Sequence, residues 1–247
     1  MQNICPLPED CPPDKGHVIL KNMAYRKISF TNNEYYHVYN RGIDKRVIFE
    51  TPVDFQRFAD CLQFFNSFEK VEIREKRKSS SPEDSPPGEG KLVDVICYCL
   101  MPNHFHLLLK QRVDNGITTF MKKMGTGYSM YFNITRERTG SLFQGPYKAK
   151  AVKDNDYLTH LSRYIHMNPV DLIDANWKEV GIKNKNSTHS FIEKYPWSSY
   201  ADYVSGRESK IISKNILHEL FSALDYVKFV QDWDVNAPED CPPEGGG

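Results

Sequence analysis

Two histidines two residues apart, His104 and His106, lie inside the run Met101-Pro102-Asn103-His104-Phe105-His106-Leu107-Leu108-Leu109. Side chains on a strand alternate between faces, so both imidazoles point one way while Phe105, Leu107 and Leu109 point the other. Neutral imidazole is the commonest side-chain metal ligand, and a strand holds such a pair more rigidly than a loop does. The spacing alone is weak evidence, because a polar strand face can carry the same pair.

A second constellation lies about sixty residues on. Residues 154–169 read as one helix: Asp154 and Asn155 suit its N-terminus, Leu158, Leu161 and Ile165 recur at helical spacing, and Pro169 stops it. Tyr164 and Asn168 are four apart and share a face. A phenol can attack phosphorus as a covalent nucleophile, and an amide oxygen one turn away can complete a metal site built on imidazoles. Core packing by Tyr164 and capping by Asn168 account for the same two residues. A phenol with a pKa of about 10 needs assistance at neutral pH. No acidic residue lies in the turn around Tyr164, so His160, one turn earlier, is the candidate proton partner, with His166 facing largely away. Tyr128, Tyr131 and Tyr147 are the competing nucleophiles.

The elements that must position these residues alternate between strand and helix. Strands are expected at 35–40, 92–100 and 104–110, the last two joined by a tight turn at Pro102. Residues 47–49 form a short apolar piece. Thr51 and Pro52 start a helix whose stripe is Phe55, Phe58, Leu62 and Phe65. Residues 117–134 read as helical despite Gly125 and Gly127, which open the backbone to close approach by a partner. A last helix is expected over 211–233, with the stripe Ile216, Leu217, Leu220, Phe221, Leu224 and Val227, either packed on the domain or an appendage that touches DNA or a second subunit, and Trp197 reads as structural. Few strands packed against helices make an α+β domain.

Low-complexity peptides interrupt this pattern. Residues 8–13 recur unchanged at 238–243 and nearly so at 82–87, each proline-dense and acidic, so disorder is expected there. The organisation expected is an N-terminal tail over 1–28, a principal domain over 29–205 with a disordered insert at 76–90, a helical extension over 206–234 and a tail over 235–247.

At 247 residues the chain can bury a substantial core. It has no run of about 18 apolar residues that would suggest a membrane span, and its acidic, proline-bearing start does not resemble a signal peptide. Six cysteines, two of them (Cys97 and Cys99) alternating in a buried strand, fit reduced thiols in a cytoplasmic protein better than a disulfide framework. Net charge is zero, yet Lys110, Arg112, Lys122, Lys123, Arg136, Arg138, Lys148 and Lys150 face only Asp114 and Glu137 between positions 110 and 150. Together with Tyr147, that local excess is a candidate surface for a nucleic-acid backbone.

Four segments in order resemble the single-tyrosine HUH transposases, and within them the REP-associated tyrosine transposases. They are Tyr36-His37-Val38-Tyr39-Asn40-Arg41-Gly42; Met101 to Leu109; Tyr131-Phe132-Asn133 followed by Gly140-Ser141-Leu142-Phe143-Gln144-Gly145; and Arg163-Tyr164-Ile165-His166-Met167-Asn168-Pro169. Pro146 departs from the pattern, where relatives often have arginine. The resemblance implies an RRM-like, ferredoxin-like antiparallel sheet, Tyr164 as nucleophile, and His104, His106 and Asn168 around Mg²⁺ or Mn²⁺. It also implies single-stranded hairpin or palindromic DNA as substrate; relatives include monomers and homodimers. Two alternatives remain at this point: a non-catalytic single-strand binder that keeps the motifs, and a metal-dependent phosphohydrolase that uses water.

Overall fold

A computed structural model describes residues 28–69, 73, 90–213 and 215–233. The repeated peptides at 8–13, 82–87 and 238–243, both expected tails and all of the expected insert except Gly90 lie outside the described residues or nearly so; only Ile28 of the N-terminal tail is included. Among the described residues four strands form one antiparallel sheet: β1 (Tyr35–Arg41), β2 (Val93–Met101), β3 (His104–Gln111) and β4 (Lys148–Ala151), in the order β2-β3-β1-β4. Three of these match the expected strands within about two residues. β4, within the basic segment, is not among the expected strands.

Pairing fixes what each face carries. Tyr39 lies opposite His106, and Arg41 opposite His104, so His37, Tyr39 and Arg41 share the histidine face. Lys150 pairs with His37 and Lys148 with Tyr39, which brings both lysines to that face. On the other edge a register shift between Val95 and Cys97 turns Cys97, Cys99 and Met101 the same way. Pro102 and Asn103 close the β2–β3 hairpin, and the Pro102 carbonyl accepts from Ile48 N (2.8 Å) and Phe49 N (3.0 Å). The apolar piece at 47–49 is therefore an anchored, irregular strap.

The opposite face, with Phe105, Leu107 and Leu109, packs on two helices, α1 (Pro52–Phe64) and α2 (Gly116–Thr135). Thr51 caps α1 in a reciprocal box with Asp54. Phe58 touches both Phe105 (ring centroids 4.9 Å apart) and Tyr128 (5.0 Å), which makes the aromatic centre of this layer. A Cβ at Gly127 would come within 2.5 Å of the Phe65 ring, so the close approach that this glycine permits is to the chain's own Phe65. Gly125 faces open space.

On the histidine face lies α3 (Asn155–Met167), its first turn capped by Asp154, whose side chain accepts from Tyr157 N at 2.7 Å. The α-helix ends where Pro169 requires, but the chain winds on as a 3₁₀ turn over Asn168–Leu172, because proline at the start of a turn forfeits no bond. Behind α3 come α4 (Trp177–Val180), α5 (Lys185–Lys194) and α6 (Tyr200–Val204), none of them anticipated. The single helix expected over 211–233 is two, α7 (Asn215–Leu220) and α8 (Ala223–Gln231). Ser222 breaks the run by capping α8, and Leu224 is 73% exposed, so the stripe read along the sequence does not form one buried face. Trp197 stacks on Phe55 at 4.9 Å, in keeping with a structural role. No helix among the described residues is long and apolar enough to cross a membrane.

α1 and α2 are tied by the carboxylate of Asp54, which is fully buried and accepts from Thr51 N (2.9 Å), Tyr131 Oη (2.9 Å) and Arg136 Nη2 (2.5 Å). Burial alone would raise its pKa, but the bonds from Thr51, Tyr131 and Arg136 bring it below the usual carboxylate range. Replacing Arg136 with alanine is expected to lower unfolding free energy by about 1.5–3 kcal/mol at pH 7. A depressed carboxylate stabilises the fold above its unfolded pKa and ceases to as pH falls through its folded value, so the gap to wild type should narrow below about pH 4. Urea titrations at both pH values check this; a gap independent of pH would contradict it.

Candidate active site

His104 and His106 enter the site from β3, and α3 lies across them. Tyr164 is 4% exposed, with its ring edge-on to His106 at a centroid distance of 5.5 Å. Asn168, one turn later, donates from Nδ2 to the Tyr164 carbonyl (2.8 Å), the bond that four-residue helical spacing provides. That bond turns the amide oxygen toward the sheet, where it lies 3.4 Å from His104 Nε2.

The two atoms that meet there are both acceptors. His104 Nδ1 lies 2.6 Å from the Asn103 side-chain oxygen, which can only accept, so the ring proton sits on Nδ1 and Nε2 presents its lone pair. A lone pair facing an amide oxygen at 3.4 Å is a repulsive arrangement unless a cation lies between them. His106 Nε2 adds a third acceptor position, being buried and without a hydrogen-bond partner among the described residues. Burial, with His104 and His37 nearby, holds the His106 imidazole far below its ordinary pKa, so the ring is neutral and able to ligate. Two imidazole nitrogens and one amide oxygen thus suit a divalent ion of the Mn²⁺ or Mg²⁺ kind, Mn²⁺ tolerating the mixed set better. No group of three His, Cys, Asp or Glu residues among the described residues could hold a metal, so the candidate set depends on the amide.

Several neighbours escaped the sequence reading. His37, from β1, lies with its Nε2 2.9 Å from His106 Nδ1, and Tyr39 stacks on His106 at 5.7 Å. Alternation in β1 puts His37 and Tyr39 on one face, but only its pairing with β3 shows which face that is. Lys178, at the start of α4, carries its ammonium 5.4 Å from the Tyr164 ring centroid and is held by Asp171 at 3.0 Å. No periodicity marks Lys178. Its charge and that of Arg41 both help to keep His106 unprotonated.

The expected proton partner lies elsewhere. His160 accepts from Arg163 at 2.9 Å and sets its ring against Phe229 (5.6 Å), toward α8. His166 is fully buried between Tyr226 Oη (2.7 Å) and Ser199 Oγ (2.8 Å). Of the competing nucleophiles, Tyr128 donates to the Ile48 carbonyl and Tyr131 to Asp54, both on the far layer. Tyr147 is partly buried just before β4.

The basic segment does not form one surface. Arg112 pairs with Asp94 (3.1 Å), Arg136 with Glu50 and Asp54, and Lys123 donates to the Ser67 and Glu69 carbonyls. Arg138 is bonded to Asn133, Lys110 lies over the Tyr35 ring, and Lys122 is exposed on α2. Of the eight, Lys110, Lys148 and Lys150 lie on the histidine face of the sheet.

One family model covers part of this site. Residues 88–168, which include β2, β3, α2 and α3, match the family described as "Transposase IS200 like". Over this segment the chain is similar to the IS200-like transposases. Within it lie His104, His106, Tyr164 and Asn168, while His37 and Lys178 fall outside. Among solved structures, a REP-associated tyrosine transposase bound to a REP hairpin is similar at 13% identity and a TM-score of 0.47, over 78% of this chain and 93% of that one. No curated protein matches the sequence.

The acceptor arrangement of this IS200-like segment has a direct readout. Long-range ¹⁵N–¹H spectra of the metal-free protein at neutral pH are expected to show His104 protonated on Nδ1. A proton on Nε2 would make the contact with Asn168 an ordinary hydrogen bond and remove the argument for a cation.

Proposed function

We propose that this chain is a single-strand DNA transposase that cleaves and rejoins hairpin-bearing DNA through a covalent tyrosine intermediate. The observation that carries this reading is the contact of His104 Nε2 with Asn168 Oδ1 next to the His106 ring, which is 5.1 Å from that of His104, has an Nε2 without a partner among the described residues and lies edge-on to Tyr164. The IS200-like match over residues 88–168 supports it independently. The strand order β2-β3-β1-β4 fits a ferredoxin-like sheet as scaffold, with the catalytic domain spanning 29–205 and the helical extension 206–234.

His104, His106 and Asn168 hold a divalent ion in this proposal. When bound, such an ion polarises a non-bridging phosphate oxygen and stabilises the charge that builds as phosphorus is attacked. Tyr164 supplies the nucleophile: its oxygen forms a bond to phosphorus in line as the bond to the 3′-oxygen breaks. The phenol gives up one proton and the leaving 3′-oxygen takes one, leaving a free 3′-hydroxyl and a 5′-phosphotyrosine. That ester conserves the phosphodiester bond energy, so attack by a second 3′-hydroxyl restores DNA and free tyrosine without ATP. The Lys178 ammonium, held over the Tyr164 ring by Asp171, is placed to meet the phosphate charge. Lys148 and Lys150, on the neighbouring edge strand, are placed to follow the backbone of a single strand.

Tyr164→Phe is the most direct test of the chemistry. It removes one oxygen from a packed ring, so hairpin binding should be unchanged while the covalent protein–DNA species on a denaturing gel disappears. Wild-type adduct should also vanish in excess chelator. An adduct that survives the substitution would move the nucleophile elsewhere. Cleavage with no adduct at any time would favour a water-using phosphohydrolase, and binding with no cleavage a non-catalytic binder.

A further inference from the structure

His37 is the one imidazole at the site to which neither the motifs nor the mechanism gives a task. Its Nε2 lies 2.9 Å from His106 Nδ1, the rings are stacked at 5.1 Å with 23° between planes, and both side chains are buried. We propose that His37 is a positioning residue for His106, accepting the Nδ1 proton so that the Nε2 lone pair is turned into the site. The inference rests on reading His106 as a metal ligand.

A count of protons between the two rings decides the direction of this contact. Both rings are buried, which disfavours the imidazolium form, so each carries a single N–H. One proton therefore serves the contact. If His37 donates it, the proton of His106 is left on Nε2, buried and with no acceptor among the described residues. If His106 donates it, Nε2 is a bare lone pair beside the His104 and Asn168 acceptors. Only the second state lets His106 bind a cation, and a cation at Nε2 selects it. The remaining cost falls on His37 Nδ1, which in that state carries a proton and has no partner among the described residues. Such an unmade bond is tolerated in a folded protein where the same group performs a task, and bonding the far nitrogen of a ligating histidine is a recognised one.

Asn103 does for His104 what His37 does for His106, since it accepts from His104 Nδ1 at 2.6 Å. Each strand-borne imidazole therefore has its far nitrogen anchored by a different element, one by the hairpin turn and one by β1. The sheet supports this arrangement. Tyr39 is opposite His106 and His37 is two residues further along the same face, so the contact is the diagonal neighbour of a paired position.

The test compares Mn²⁺ binding, by electron paramagnetic resonance on the full chain, among wild type, His37→Leu, His37→Gln, His37→Asn and His106→Ala. Glutamine carries its amide oxygen about as far out as imidazole Nε2 and keeps an acceptor for His106; asparagine stops short, and leucine offers none. Affinity should fall about 10–100-fold in His37→Leu and His37→Asn, recover to within a few-fold of wild type in His37→Gln, and be lost in His106→Ala. Hairpin DNA binding in chelator should be the same for wild type and the three His37 variants. If His37→Leu does not fold, the contrast between glutamine and asparagine still decides the matter. Equal affinity in wild type and His37→Asn, with His106→Ala weakened, would overturn the role of His37 and leave the metal site standing. Equal weakening in the glutamine and asparagine variants would also overturn it, making His37 a packing residue. Absence of Mn²⁺ binding by wild type, or full affinity in His106→Ala, would instead overturn the site reading on which the proposal rests.

Discussion

The antiparallel pairing of β1 with β3 sets Tyr39 across from His106 and Arg41 across from His104. Because side chains alternate with period two, this register decides which half of β1 faces α3 and which faces α1 and α2. A slip of one residue would bring Val38 and Asn40 to the histidine face and send His37 into the aromatic layer around Phe58. Both faces are covered, so such a slip is penalised twice. The anchored strap at Ile48 and Phe49 and the bond from Gly42 N to the Asn103 carbonyl (2.9 Å) pin the hairpin end against the end of β1. The geometry of the candidate site thus depends on a backbone ladder more than on any contact within the site.

The other half of the site depends on how α3 is held. Its last two turns are buried nearly all round, from Leu161 to Met167, because the sheet covers one side and the C-terminal helices the other. Polar side chains within that burial are matched. His166 bridges Tyr226 of α8 and Ser199, which is bonded in turn to the Tyr98 backbone of β2. Arg163 donates to the Phe229 carbonyl near the C-terminal end of α8 (3.1 Å), with its guanidinium over the Phe229 ring at 4.4 Å. These bonds leave α3 little freedom to rotate, and Tyr164 and Asn168 are carried on it. The C-terminal helices therefore act on the site through the helix they fix, without a residue of their own at its centre.

What could be read from the sequence was what spacing governs. Alternation gave His104 and His106 a common face, and four-residue spacing gave Tyr164 and Asn168 theirs. Whatever depended on pairing across the chain was not legible. His37 looked like one of several polar residues in a strand until β1 found its register, and β4 is four residues of lysine and alanine whose strand character comes from pairing with β1 and hardly from propensity. The basic cluster misled for the same reason. Eight cations close in sequence are divided by the fold between two faces, and several are taken up by Asp94, Glu50, Asp54 and carbonyl oxygens. The C-terminal stripe ran on through Ser222 because apolar spacing alone does not record a cap.

The central claim is that two imidazoles and an amide oxygen form a cation site beside a tyrosine. Crystals grown with Mn²⁺, with data collected at an energy where manganese scatters anomalously, test it most directly. The account predicts an anomalous peak coordinated by His104 Nε2, His106 Nε2 and Asn168 Oδ1, at metal–ligand distances of roughly 2.0–2.3 Å. A well-ordered site with no peak at saturating Mn²⁺, or a peak bound by other residues while these three keep their present contacts, would contradict it.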